Sequence, residues 1–183
     1  MNNWPSTTQV LKDAGLYGDI ERFGDAESMR RGRLVDAACN LLLMEKEIPA
    51  SWYDQHPECE PYIAGYQHFL IRHKVRLIQC AFEVVNKAER YIGHPDQLIM
   101  LDDVQAMIDI KTGGMPKTTA LQTASYELAE RSMGVPRSIR VGLQLVGGDF
   151  KLHYFTNPAD FDEWTILVRA HWIKAKYGNG VAA

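Results

Sequence analysis

The sequence predicts an α/β fold, with one domain built on a central mixed β-sheet that is flanked by helices. The chain has 183 residues, which is the usual size of one domain. Hydrophobic residues make up 46% of it and charged residues 23%, as in an ordinary globular protein. Helical and strand-like periodicity follow each other in the order α-α-α-β-β-β-α-β-β-α. We therefore expect a single domain over residues 1–177 and a frayed tail over 178–183.

Three helices are predicted before the first strand. Ser6 is a typical capping residue for a short helix that stops near Gly15. Apolar residues at three- and four-residue steps predict a second helix from about residue 25 to Glu47. Residues 50–61 contain two prolines and are expected to form a loop, and a third helix then ends near His73.

Strand patterns dominate the rest of the chain. Asp102-Asp103 is a good two-residue hairpin connection, and Gly147-Gly148 is another. The predicted strands cover residues 76–86, 91–101, 104–111, 139–146 and 150–155. The predicted helices of this part cover residues 118–133 and 157–177.

Composition excludes several classes of protein. The three cysteines lie about twenty residues apart without a CxxC pair, which argues against a zinc ribbon or an iron–sulfur cluster and indicates free thiols. The net charge of −3 gives no general basic surface, so any nucleic-acid contact must be local. No apolar run approaches the roughly 20 residues that cross a bilayer, and no secretory signal begins the chain. We expect a cytoplasmic protein that does not contact a membrane.

The predicted strand 104–111 carries a carboxylate and an ammonium on one face. Side chains alternate across a strand, so Asp109 and Lys111 lie opposite the apolar face that holds Ile108. Such a pair suits phosphodiester hydrolysis, in which the carboxylate binds a hard divalent cation and the ammonium offsets developing negative charge. The alternative is an exposed ion pair near a strand end.

A second acid, Asp96, favours the catalytic interpretation. It lies thirteen residues before Asp109, and the hairpin at residues 102–103 brings the two acids opposite each other. Facing carboxylates repel, and a cation between them removes the penalty. Pro95 removes a backbone donor and predicts a distortion of the strand there. Glu83, on the preceding predicted strand, adds a third acid to the cluster or is a solvated strand residue.

These residues resemble a known family. Pro95-Asp96 followed by Asp109-Ile110-Lys111 is the signature of the PD-(D/E)XK nuclease superfamily, which has a restriction-endonuclease-like core. Gln122 and Tyr126 match the QxxxY motif of its RecB-like exonuclease branch. Segments 8–16, 31–36 and 108–113 are similar to further motifs of the single-domain phage and bacterial members. The resemblance covers about residues 6–175.

The resemblance implies a Mg²⁺-dependent DNA exonuclease, in which Mn²⁺ can replace Mg²⁺. No iron–sulfur cluster is expected. It assigns the metal to Asp96, Asp109 and the main-chain carbonyl of Ile110, and the positioning of water to Lys111. Glu83 has a metal-linked or water-orienting role. Gln122 and Tyr126 share a helix face that is turned to the lysine and the DNA. For Tyr126 alone, an ordinary core aromatic is the alternative.

One position departs from the family pattern. Asp36 stands where the family commonly has a histidine. An aspartate supplies oxygen only and suits Mg²⁺ or Mn²⁺. Asp36 is therefore a candidate metal ligand, and its alternatives are a residue that supports the ligands or an acid on a solvated helix face.

Local basic residues fit a DNA substrate. Arg30, Arg31 and Arg33 lie close to Asp36 in the sequence, and Lys117 follows the break at residues 113–114. Their contacts to phosphate would be independent of sequence and sensitive to salt. A second basic group, residues 72–76, is better explained as a solvated face.

The resemblance implies a role in DNA recombination, repair or phage DNA processing. The expected partners are DNA and a recombination or single-strand annealing protein, and the oligomeric state is left open. Two alternative functions remain, which are an endonuclease of the same superfamily and a nuclease-fold module that binds DNA without cleaving it.

Overall fold

Six α-helices and seven strands form the described part of the chain, which is residues 3–16 and 26–178 of a computed structural model. The helices are α1 (Thr7–Asp13), α2 (Ala26–Leu43), α3 (Ala50–Gln55), α4 (Glu60–Arg72), α5 (Thr119–Ser132) and α6 (Ala159–Tyr177). The strands are β1 (Val75–Cys80), β2 (Val84–Asn86), β3 (Tyr91–Gly93), β4 (Gln97–Leu101), β5 (Val104–Thr112), β6 (Ile139–Val146) and β7 (Asp149–Tyr154). None of these helices has the length and apolarity needed to cross a membrane.

The main sheet has five strands in the order β1-β4-β5-β6-β7. Only the central pair, β5 and β6, is parallel, and the other neighbours are antiparallel, so the sheet is mixed. β2 and β3 form a separate two-stranded sheet. The predicted fold class, a single α/β domain with a mixed sheet between helices, is confirmed.

Alternation along β5 supplies both faces of the sheet. Ala106 and Ile108 point into a core that α2 and α4 complete with Val35 and Phe69. Met107 points into a second core. The helices α1, α5 and α6 and the small sheet cover that second face. The face that carries Asp109 is therefore also covered, because α5 packs over it.

Two predictions in the first part of the chain are corrected. The second helix ends at Leu43 rather than Glu47, because Glu45 adopts a left-handed conformation with φ of 57°. Residues 50–61 contain α3 and a 3-10 turn (Pro57–Cys59) instead of a loop. Both elements are shorter than the window over which helical periodicity can be recognised.

The two long strands predicted over 76–86 and 91–101 are each broken. β1 ends at Cys80 because Ala81 has φ of 49°, and β2 begins only at Val84. The second break, at residues 94–96, contains Pro95, whose predicted distortion is confirmed. The breaks are adjacent, since the Ala81 nitrogen donates to the Asp96 carbonyl at 3.0 Å. Beyond them β2 and β3 leave the main sheet and pair with each other.

The predicted caps and turns are confirmed where local chemistry determines them. The Ser6 side chain accepts a hydrogen bond from Gln9 N at the start of α1. Both hairpin turns have two residues with positive φ, 48° and 69° at Asp102-Asp103 and 57° and 80° at Gly147-Gly148. The predicted frayed tail falls outside the described residues, apart from Gly178.

Candidate active site

The two strand breaks open a cleft of about 390 Å³ at one end of the sheet. An uninterrupted ladder would place backbone here, so the cleft exists because β1 and β4 stop pairing beyond Cys80 and Gln97. The predicted acids Asp36, Glu83 and Asp96 all line it. Its other lining residues are Ala81, Phe82, His94 and Pro95.

Asp96 and Asp109 lie where the hairpin prediction places them. β4 and β5 pair Gln97 with Ile108, and one further step in this antiparallel register sets Asp96 across from Asp109. The Asp96 Oδ2 atom accepts a hydrogen bond from Ile110 N at 2.6 Å. Asp109 is only 1% exposed. The two carboxylates are thus held by the backbone of one hairpin.

A chain of contacts leads from Asp109 to helix α5. Lys111 Nζ lies 2.5 Å from Asp109 Oδ2. The same ammonium donates to Gln122 Oε1 at 3.3 Å, and Gln122 Nε2 donates to the Tyr126 hydroxyl at 2.7 Å. The predicted pair on α5 therefore faces the lysine, as the QxxxY resemblance implies.

Tyr126 also belongs to the core, so its two interpretations are compatible. Its side chain lies in the second core and is 2% exposed, while its hydroxyl reaches Gln122. Gly93 makes room for the ring, because a Cβ atom there would lie 2.6 Å from Tyr126 Cδ1 and 2.8 Å from Val84 Cγ2. The ring is accordingly fixed by contacts with the small sheet.

Asp36 joins the acidic group from helix α2. Burial and the nearby Asp109 charge raise the pKa of Asp36 to about 6, while Asn40 donates to its carboxylate at 3.3 Å. Burial, followed by the charges of Asp109 and Asp36, holds the pKa of Asp96 well above its usual range. Three acids therefore share a region where their negative charge is incompletely compensated.

The donor set fits a hard divalent cation in its chemistry. Carboxylates and a main-chain carbonyl are the oxygen ligands that Mg²⁺ and Mn²⁺ accept. Asp109 Oδ2 is enclosed, and the Lys111 ammonium lies 2.5 Å from it. Within residues 3–16 and 26–178, no three His, Cys, Asp or Glu side chains already converge as a metal site. Ligation by Asp36, Asp96 and Asp109 would thus need their side chains to turn towards one point.

Glu83 lies in the cleft but not on a strand. It falls in the break between β1 and β2, so the prediction that it lies on a strand is wrong. Glu83 and Asp96 nevertheless line the same cleft, as predicted for an acidic cluster. The sequence reasoning missed its partner His94, whose Nε2 lies 3.6 Å from Glu83 Oε2. The signal available was the position of His94 beside Pro95, at the predicted distortion.

The arginines of α2 differ in whether an acidic side chain compensates their charge. Arg30 donates to both Glu27 and Glu58, so its charge is already compensated. Arg31 instead lies over the ring of Tyr62 at 5.2 Å, and its Nε atom is enclosed without a hydrogen-bond partner. Arg33 and Lys117 are exposed.

The basic group at residues 72–76 is largely solvated, as expected, and it also makes contacts with the hairpin turn. His73 Nδ1 lies 2.7 Å from Asp102, and Lys74 Nζ donates to Asp103 at 2.8 Å. Arg72 lies over the ring of Phe150 at 5.6 Å. These contacts tie the start of β1 to the hairpin turn, and none of the residues 72–76 lines the cleft.

Comparisons with known proteins support the fold and identify no family for this chain. No family model matches the chain, and no curated protein matches it. Among solved structures, the chain is similar to a crystal structure from Eubacterium rectale that is described as a "Putative exonuclease". The two are 12% identical with a TM-score of 0.51, and the match covers 93% of this chain and 73% of that one. A likeness at this identity concerns the fold alone, and it agrees with the mixed α/β sheet.

Proposed function

We propose that this protein is a metal-dependent DNA exonuclease of the RecB-like branch of the PD-(D/E)XK superfamily. One observation carries the proposal, namely the series of contacts that runs from Asp96 beside the strand break, through Asp109 and Lys111 on β5, to Gln122 and Tyr126 on α5. A structural ion pair explains Asp109 and Lys111, but it does not explain why a second acid, a glutamine and a tyrosine hydroxyl are in contact with the same strand segment. The fold is shared with a Eubacterium rectale protein that is described as a putative exonuclease, which supports a nuclease function in general and not the superfamily branch.

The metal would be held by Asp96, Asp109, the carbonyl of Ile110 and Asp36. These groups offer hard oxygen donors, and a cation would relieve the repulsion that raises the pKa values of Asp36 and Asp96. The chemistry that Mg²⁺ or Mn²⁺ supplies in such a site is polarisation of a phosphoryl oxygen and neutralisation of charge in the transition state.

Lys111 would act on the attacking water and on the charge that builds up at the phosphate. Its ammonium is held by Asp109 on one side and by Gln122 on the other, so it needs little reorganisation during the reaction. Tyr126 fixes the Gln122 amide, which in turn fixes the ammonium. These contacts support positioning roles for Gln122 and Tyr126.

DNA would be bound mainly by Arg31, Arg33 and Lys117. Arg30 contributes less, because Glu27 and Glu58 already compensate its charge. Contacts of this kind are made to phosphate, so binding would tolerate any sequence and weaken with salt. We further propose that the activity serves DNA recombination, repair or phage DNA processing, beside a recombination or annealing protein.

Digestion of end-labelled linear DNA and of circular DNA, each with and without Mg²⁺, tests the proposal. An exonuclease degrades the linear substrate from its end in Mg²⁺ and leaves the closed circle intact. Cutting of the circle would indicate an endonuclease of the same superfamily. DNA binding without any cleavage, in Mg²⁺ or Mn²⁺, would indicate a module that only binds.

The Asp109→Asn variant tests the metal separately from cleavage. Mg²⁺ should raise the unfolding temperature of the wild-type protein, because a ligand that binds the native state stabilises it. Asp109→Asn should lose both this shift and the activity. Asp149→Asn, at an exposed position on β7, is the matched control and should keep both. A Mg²⁺ response of wild-type size in Asp109→Asn would remove this carboxylate from the metal site.

A further inference from the structure

The turn between β5 and α5, residues 113–118, joins the strand that carries Lys111 to the helix that carries Gln122. Lys117 is exposed in this turn, and it lies five positions before Gln122, which contacts Lys111. Gly113 has φ of 106°, and its nitrogen donates to Leu145 O at 3.2 Å. The turn is therefore anchored at its first residue to strand β6.

Gln144 of β6 provides a second anchor. It lies across from Lys111 in the parallel pair of β5 and β6, and its Nε2 atom donates to the Gly113 carbonyl at 2.5 Å. A carbonyl only accepts, so this contact fixes which end of the amide is nitrogen. The Gln144 Oε1 atom must then accept from His153 Nε2, which lies 2.8 Å away on β7. His153 thus holds the amide in the orientation that binds Gly113.

The middle of the turn packs against Gly142, which lies on the same strand. A Cβ atom at this position would lie 2.7 Å from Met115 Cε and 2.9 Å from Met115 Sδ. The Met115 side chain therefore packs directly on the Gly142 backbone. Polar and apolar contacts with β6 together determine where the turn lies.

We infer that Gln144 is a positioning residue for DNA binding, which holds the 113–118 turn so that Lys117 meets a phosphate of the substrate. The inference rests on the proposed function, because Lys117 matters here only if DNA is bound. A phosphate contact by a lysine depends on where the ammonium lies, since its charge is effective over only about one Debye length, roughly 8 Å at physiological salt. Without the Gln144 contact, the Gly113 carbonyl would lose one of the anchors of the turn, so the ammonium would occupy a wider range of positions and the phosphate contact would weaken.

A double-mutant cycle tests this inference. DNA binding is measured for the wild-type protein, Gln144→Leu, Lys117→Ala and the double variant across a series of salt concentrations. Gln105→Leu is the matched control, because Gln105 Nε2 anchors another loop through Pro136 O at 3.1 Å, at the far end of β5. His153→Phe provides a second route, because it removes the support of Gln144 without altering Gln144 itself.

Each outcome decides the inference. Lys117→Ala should reduce the slope of log affinity against log salt by about one, as expected for the loss of one phosphate contact. Gln144→Leu should reduce it similarly and add nothing in the Lys117→Ala background, while Gln105→Leu should leave it unchanged. His153→Phe should shift it in the same direction. Additive effects of Gln144→Leu and Lys117→Ala, or an unchanged slope in a folded Gln144→Leu or His153→Phe, would overturn the inference and leave the nuclease proposal standing. A wild-type protein that binds no DNA would overturn both.

Discussion

Replacement of Lys111 by methionine separates the chemistry of the site from its stability. Methionine keeps the length and apolar character of the side chain, so β5 should still form. What is lost is an ammonium 2.5 Å from Asp109 Oδ2, which is enclosed. The variant leaves three neighbouring carboxylates without their cation.

Lys111→Met should lower both the free energy of unfolding and the cleavage rate, and the burial and contacts of Lys111 indicate by how much. Removing one partner of a buried ion pair costs about 3–5 kcal/mol, and the lower end applies because the Lys111 side chain is still 23% exposed. The cleavage rate should fall by roughly 100–1000-fold, as when one preorganised donor to a transition-state charge is removed. Mg²⁺ should stabilise this variant more than the wild-type protein, since the metal then supplies positive charge that Lys111 no longer provides.

Two measurements check these numbers, namely thermal unfolding with and without Mg²⁺ and single-turnover cleavage at saturating DNA. Lys87→Met, at an exposed lysine in the turn between β2 and β3, is the control and should change neither. Near wild-type cleavage by Lys111→Met in Mg²⁺ would refute the proposed mechanism. A Mg²⁺ stabilisation no larger than in the wild-type protein would refute the electrostatic argument.

Three further outcomes are expected. Asp36→Ala should shift the Mg²⁺ titration of cleavage to higher concentration, because Asp36 lines the cleft with Asp96, and a wild-type midpoint would show that it is no ligand. Burial, together with the Glu127 charge, raises the pKa of Glu130 to about 7 from 4.5, so the folded state holds this proton more tightly and stability should fall as pH rises from about 4.5 to 7. Glu130→Gln should remove this pH dependence, which amounts to on the order of 2–3 kcal/mol in the free energy of unfolding. Urea unfolding at several pH values measures it. Gly93→Ala should cost about 1–3 kcal/mol and slow cleavage, because its Cβ atom displaces the Tyr126 ring, and cleavage at the wild-type rate would detach that ring from the site.

The sequence predicted those parts of the fold that local chemistry determines. Aspartate tolerates positive φ, so Asp102-Asp103 was recognisable as a turn, and the hairpin arithmetic then placed Asp96 across from Asp109. The break at Ala81 had no such signal, because alanine seldom adopts φ of 49° and does so here within a tertiary contact to Asp96 O. Only Pro95 indicated that the strands were interrupted.

Long-range contacts explain what the sequence could not predict about the site. The charge of Arg30 is compensated by Glu58, which is 28 residues away, and no local pattern reveals this pairing. Gln144 and His153 carry no local signal of their role, which arises when the register of β5, β6 and β7 places Gln144 beside Gly113 and His153 beside Gln144. Such contacts depend on which strands become neighbours, and periodicity within one strand carries no information about that.

The strand breaks shape both the acidic cleft and the surroundings of the Tyr126 ring. Where β1 and β4 stop pairing, the space that their continuation would fill becomes the cleft that Asp36, Glu83 and Asp96 line. The chain released there forms β2 and β3, and Gly93 of this small sheet packs against Tyr126. The same distortion therefore creates room for the carboxylates and supplies the surface that fixes the Tyr126 ring. A regular sheet would have provided neither, because unbroken strands would occupy the cleft and hold Gly93 away from helix α5.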